Sequence, residues 1–394
     1  MNKKIFSVKW LALIAILFLT KCKVPYDPPI KNSLYHYLVV EGNINPDGLT
    51  SIQLSRTRNI SAGDTAAYIY ELNAKVVIED NANNTYPLSE NGKGNYSGSY
   101  TLNTSNQYRL HITTSDHKEY LSTFVPCKIT PLIDNVGWNF NSGNGVQVYV
   151  NTHDPDNTTR FYRWSYSETW EFHSQYYSLF TYVPADSSVI VRTAPVFVCY
   201  QTDNSPTIIL GSSAKLAQDV IHEAPVTAIP VHDKKISVLY SILVTQYALD
   251  SAGYNYWNAM KSNTENVGSI FDSQPNQTVG NIKCTTDSSE LVIGYIGAST
   301  TDQSRLFISN SSMPTGWNVA PNCTEYDVPS DSIVYYFGSG SYIPIQITRK
   351  GYFSASSSCV DCTLSGSPIK PSFGRKKLKN KMHREGKYYP VSYR

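Results

Sequence analysis

The chain has 394 residues, 41% of them hydrophobic and only 16% charged. That length suggests two or three domains of about 150 residues with a sizeable core, and the composition excludes a disordered chain, which combines low hydrophobicity with high net charge. The net charge of +2 conceals nine basic residues and one acid between Lys370 and Arg394, and four basic residues and no acid in the first 21 positions. The body between them is acidic, at about −10, which sets aside a nucleic-acid binder with basic side chains spread over its folded face.

Residues 1–21 read as an export signal. Lys3, Lys4 and Lys9 precede the unbroken apolar run Trp10–Leu19, which is too short for the roughly 20 helical residues of a membrane span and suits a signal-peptide hydrophobic region. Leu19-Thr20-Lys21-Cys22 resembles a lipobox, although a small residue usually stands where Lys21 does. Cys22 is therefore the candidate lipidation site, against the alternative of an ordinary secreted protein with an incidental cysteine. Several acyl chains hold a protein on a bilayer essentially permanently, and the proline-rich stretch at 22–32 then reads as a tether.

The first domain is expected at 33–127. Tyr37–Ile44, Thr50–Thr57, Ala74–Asp80, Thr85–Leu88, Asn95–Tyr100, Gln107–Thr114 and Glu119–Val125 alternate apolar and polar residues. Turn residues such as Asn45-Pro46-Asp47-Gly48 and Asn81–Asn84 separate them. Seven short strands at this spacing predict a sandwich of immunoglobulin or transthyretin type. Pro126 and Pro131 bracket the expected boundary.

A larger β-rich domain is expected at 128–373. Its predicted strands are Gly145–Asn151, Arg160–Ser167, Ser187–Thr193, Ile236–Tyr247, Glu290–Ile296 and Arg305–Ser309. One helix is expected near 251–261, capped by Asp250 or Ser251, with Tyr254, Trp257 and Met260 on one stripe. The aromatics of Tyr162–Trp170 and Tyr176–Tyr182 fit either core packing or a recognition face. Residues 374–394 form a basic tail, read as solvated, with weak membrane attraction as a minor alternative.

Beyond Cys22, the six cysteines Cys127, Cys199, Cys284, Cys323, Cys359 and Cys362 are an even number in an exported chain, and all six are disulfide candidates with open connectivity. Cys359-Val-Asp-Cys362 lacks the second C-x-x-C of a zinc site and the βαβ setting of a redox motif, so a structural role is expected. No catalytic motif emerges. His222-Glu223 is followed by Ala224-Pro225, which rules out H-E-x-x-H on a helix, and His153-Asp154-Pro155-Asp156-Asn157 reads as a turn and not a calcium loop. No metal, cofactor or catalytic residue is assigned.

Several stretches resemble the domain-of-unknown-function 4249 family, outer-membrane lipoproteins of Bacteroidota commonly encoded beside TonB-dependent receptors. They are Leu38-Val39-Val40-Glu41-Gly42 with Ile52–Arg56, Tyr162-Arg163-Trp164, Tyr240–Val244 with Gln246–Leu249, and the run from Tyr256-Trp257 through Gly268–Asp272 and Gln274-Pro275 to Gly280-Asn281-Ile282. Cys359–Leu364 and Lys370-Pro371 also fit. The resemblance implies location and neighbourhood: a lipoprotein anchored in the outer membrane, expected to face the surface rather than the periplasm. Together with the candidate anchor, the acidic Tyr-rich body and the absence of a catalytic motif, it makes the expected role a non-enzymatic accessory or binding partner of a TonB-dependent transporter in nutrient capture. The alternatives are a surface hydrolase acting on glycan or peptide, and a structural envelope or adhesion protein.

Overall fold

The computed structural model describes residues 36–58, 68–265, 280–317 and 322–372. The leader, Cys22, the tether, the stretch Gly268–Pro275 and the basic tail lie outside the described residues. The mainly β class holds: twenty-five strands and three α-helices occur among the described residues.

The first unit starts with nine strands: β1 (Leu38–Ile44), β2 (Asp47–Arg56), β3 (Ile69–Tyr70), β4 (Lys75–Asp80), β5 (Thr85–Glu90), β6 (Asn95–Thr101), β7 (Gln107–Thr113), β8 (Glu119–Ser122) and β9 (Val125–Lys128). Their alternation puts Tyr108, Leu110 and Ile112 of β7 in the core with Ile52, Leu54 and Ile78. The expected turns have side-chain causes. Asn45 Oδ1 accepts from the Asp47 amide at 3.1 Å, and Asp80 Oδ1 accepts from the amides of Ala82 and Asn84 at 2.9 and 2.8 Å, fixing the bend that carries Asn83 at φ +65°. Two strands turn corners between sheets. β5 pairs with β4 through Thr85–Leu88 and with β6 through Ser89 and Glu90. In β9, Val125 and Pro126 pair with β7, so Pro126 sits inside a strand at a corner instead of marking a linker.

The second unit holds β10 (Ile133–Asn141), β11 (Gly145–Asp154), β12 (Phe161–His173), β13 (Phe180–Val183), β14 (Ser188–Val191), β15 (Val198–Asn204), β16 (Ile209–Ser212), β17 (Asp219–Ile229), β18 (Leu239–Leu249) and helix α1 (Ser251–Glu265). The sheets β10-β11-β17 and β15-β12-β18 share one core, where Val146, Val148 and Val150 meet Tyr162, Trp164, Trp170 and Val244. Asp250 caps α1 by accepting from the Gly253 amide at 2.8 Å. The helix outruns its expected end and uses two faces. Tyr254 packs on Phe161 at 4.8 Å, while Tyr256 stacks on Tyr295 at 5.5 Å.

The chain then returns to the first unit through β19 (Ile282–Cys284), β20 (Val292–Ile293) and β21 (Gly297–Ser299). β19 pairs with β8, β20 with β1, and β21 runs parallel between β1 and β9. The boundary expected after residue 127 is therefore corrected: the first unit also contains residues 282–299. With β21 in place, β7-β4-β5-β6-β2-β1-β21-β9 closes on itself through the β7–β9 pairing. The expected strand Glu290–Ile296 shrinks to β20 because Gly294 adopts φ +146°, and a Cβ there would lie 2.2 Å from the Val40 carbonyl oxygen. Only Thr300 separates β21 from β22 (Thr301–Ser309), which pairs with β18 in the second unit.

A last sheet, β23 (Tyr326–Pro329), β24 (Tyr342–Ile347) and β25 (Gly351–Ser356), carries the short helices α2 (Ile333–Phe337) and α3 (Ser357–Val360). Cys323–Cys359 closes it, and Cys199–Cys362 ties its end to β15. The two cysteines of the C-x-x-C thus face different partners. Cys127 and Cys284 are free thiols, so two of the six disulfide candidates are corrected. The register explains it. Cys284 lies opposite Tyr120, which lies opposite Ile112, whereas Cys127 follows Pro126 opposite Gln107. At about 3.4 Å per residue that is about 17 Å along β7, against the roughly 7 Å limit between bridged Cα atoms.

Candidate ligand-binding cleft

The aromatic segment Tyr162–Trp170 is core, not a face: Tyr162, Trp164 and Trp170 are at most 1% exposed. Asp154 is a turn residue, its Oδ2 accepting from the amides of Thr158 and Thr159, each at 2.8 Å. Among the described residues no group of His, Cys, Asp and Glu is placed to hold a metal. None of the described histidines hydrogen-bonds a serine or cysteine side chain.

What the fold does assemble is a charged cleft on the first unit. Arg56 ends β2, Glu71 follows β3, Lys118 precedes β8, Tyr120 lies on β8, and Glu290 comes from the returning segment before β20. Arg56 Nε donates to Glu71 at 2.6 Å and its Nη1 to Glu290 Oε1 at 3.2 Å. The Tyr120 hydroxyl donates to the same Glu290 oxygen at 2.6 Å, and Lys118 Nζ meets the other at 2.5 Å. Glu290 is 6% exposed, so its charge depends on these partners rather than on water. Burial opposes the charge of Arg56, but hydrogen bonds to Glu71 and Tyr120 outweigh it and raise its pKa. Burial, reinforced by Glu290, likewise raises Tyr120. Lys118 rises through its hydrogen bond to Glu290.

Arg56, Glu71, Lys118 and Glu290 line a hollow of about 470 Å³ that also includes His36 and Asp116. A second chamber, about 590 Å³, shares Tyr37 and Glu290 with it. Its wall is apolar: Met260 from α1, Ile282 and Cys284 from β19, and Leu291, Val292 and Ile293 around β20. The pair places a charged vestibule beside an oily chamber, in the volume range of small-molecule sites. The two free thiols differ. Cys284 lines the chamber, whereas Cys127 sits at the β9 corner, where burial pushes its pKa up to about 11 and keeps it protonated.

No pattern in the sequence pointed to the cleft. Arg56 and Glu290 are 234 residues apart, and Lys118 and Glu290 are 172 apart. The one available signal was Arg56 closing the stretch Ile52–Arg56, a charged residue at the end of an apolar strand.

A family model described as a domain of unknown function (DUF4249) matches residues 23–305. The chain belongs to that family. The match covers the first unit with its returning strands, the cleft, and most of the second unit, and it ends inside β22. Cys359–Leu364 and Lys370-Pro371 stand beyond the matched span. No curated protein matches. Among solved structures, a two-domain fibronectin type III segment from chicken tenascin is similar at 10% identity over 55% of this chain and 93% of its own, with a TM-score of 0.16. That overlay is too loose to bear on fold or function.

Residues that carried the family resemblance have physical roles. Gly42 at φ +146° passes so close to β2 that a Cβ would lie 2.5 Å from the Ser51 oxygen. Tyr162 donates to the buried Asp219. Arg163 lies between the rings of Tyr247 and Trp257, at 4.4 and 4.6 Å from their centroids.

Proposed function

We propose that this protein is an outer-membrane lipoprotein, anchored through Cys22 and facing the cell surface, that serves a TonB-dependent transporter by capturing a nutrient and has no catalytic role. The observation that carries the reading is the cleft. Its buried carboxylates, Glu71 and Glu290, are clamped by Arg56, Lys118 and Tyr120, so they act as fixed walls and are not free to relay protons as a hydrolase pair would. Exposed apolar residues on the last sheet and the nearby β13–β14 hairpin support docking to such a receptor. There Val191, Val334, Tyr335 and Ile347 are 66%, 55%, 83% and 57% exposed, more than scattered apolar residues usually contribute to one region. Membership of the family and the acidic body fit the same role.

The test is affinity purification of the lipidated protein from detergent-solubilised outer membranes. A TonB-dependent receptor should accompany it in near-stoichiometric amount, and labelled palmitate should enter the chain but not its Cys22→Ala variant. Recovery of the protein alone overturns the partnership.

A further inference from the structure

We infer that the apolar chamber behind Glu290 binds a small amphiphile whose polar end carries no net charge, an uncharged or zwitterionic group. This deepens the capture reading and rests on it. Two observations set the ligand class. The chamber's volume of about 590 Å³ is lined mostly by apolar residues, Met260, Ile282, Leu291, Val292 and Ile293 among them. Burying an apolar body there gains about 25 cal/mol per Å² removed from water.

The second observation is the balance of charge around the two hollows. Arg56, Lys118 and Lys283 bring three cations to the two linked hollows, and Glu71, Asp116 and Glu290 bring three anions. Both oxygens of Glu290 are taken, one by Arg56 and Tyr120 and the other by Lys118. The charges outside these ion pairs, Lys283 and Asp116, are exposed and opposite in sign. A ligand with a full net charge would therefore leave water without gaining a desolvated counter-charge, which is costly. A polar group of zero net charge avoids that cost. It still finds donors in the 38% exposed Lys118 and in Ser288.

The experiment is a fluorescence titration of the intact protein with the neutral apolar dye N-phenyl-1-naphthylamine, beside the anionic dye 1-anilinonaphthalene-8-sulfonate. Saturable binding of one neutral dye per chain is expected, at least tenfold tighter than the sulfonate. Leu291 is 43% exposed, so Leu291→Arg tolerates folding while charging the wall, and it should weaken the neutral dye tenfold or more. Leu72→Arg, a 44% exposed site outside both hollows, should leave binding unchanged. Absence of saturable binding, stronger sulfonate binding, or equal effects of the two variants overturns the assignment. A failed titration leaves receptor co-purification intact, and failed co-purification leaves the titration intact, so the two proposals fall separately.

Discussion

Gln246 is fully buried, at 0% exposed, and every polar atom of its amide is used. Its Oε1 accepts from Trp164 Nε1 at 2.8 Å, and its Nε2 donates to the Pro131 carbonyl at 2.8 Å and to Thr152 Oγ1 at 3.0 Å. One side chain thus joins β18 to β12, to β11 and to the segment entering the second unit. Gln246→Leu keeps most of the volume but deprives the Trp164 indole N–H and the Pro131 carbonyl of their partner, while Thr152 Oγ1 keeps its bond to the Leu132 carbonyl. It should lower stability by about 1–3 kcal/mol. Urea unfolding should show a lower midpoint at unchanged slope; a variant as stable as the parent would refute the role. The sequence placed Gln246 on a strand and in a family-like stretch. Its partners come from positions 82 and 115 residues away, which no local pattern reports. Arg56 shows the same limit in the cleft.

Helix α1 was readable in its start and much less so in its orientation. Asp250 caps it as expected, and Tyr254 and Trp257 share a face. The expected single stripe omits Tyr256, which is the buried aromatic: burial drives its pKa up to about 12. A three-residue spacing identifies one contact face, and a helix lodged between two units needs two. Trp257 is the lid over Arg163, whose Nε is buried without a hydrogen-bond partner and whose pKa is lowered by burial. Trp257→Ala should cost about 2 kcal/mol, as one aromatic face is lost from a desolvated cation. Arg163→Lys should also destabilise, because a compact ammonium cannot stack flat between two rings. Thermal melts of both variants check this, and an unshifted Arg163→Lys melt would rule out the stacked arrangement.

At the scale of the whole molecule, the strands of residues 37–125 were legible because each carries its own alternation. The boundary was not. β21 is Gly297-Ala298-Ser299, three small residues with no hydrophobic pattern, yet Asn43 Nδ2 reaches across 256 residues to donate to the Ser299 carbonyl at 3.1 Å. A fragment of residues 33–127 should therefore lack a cooperative unfolding transition by circular dichroism. Joining residues 280–300 to it through a flexible linker should restore one. A cooperative melt of the bare fragment would mean that the ring does not need its late strand.

The same topology makes the order of synthesis differ from the order of completion. A ribosome delivers β1 and β9 early, but the strand that lies between them arrives only after β10 to β18 of the second unit have been made. Through that interval β1 and β9 each present an open row of amides and carbonyls able to recruit a neighbouring nascent chain. Whatever escorts this polypeptide must shield those edges until residue 299 emerges.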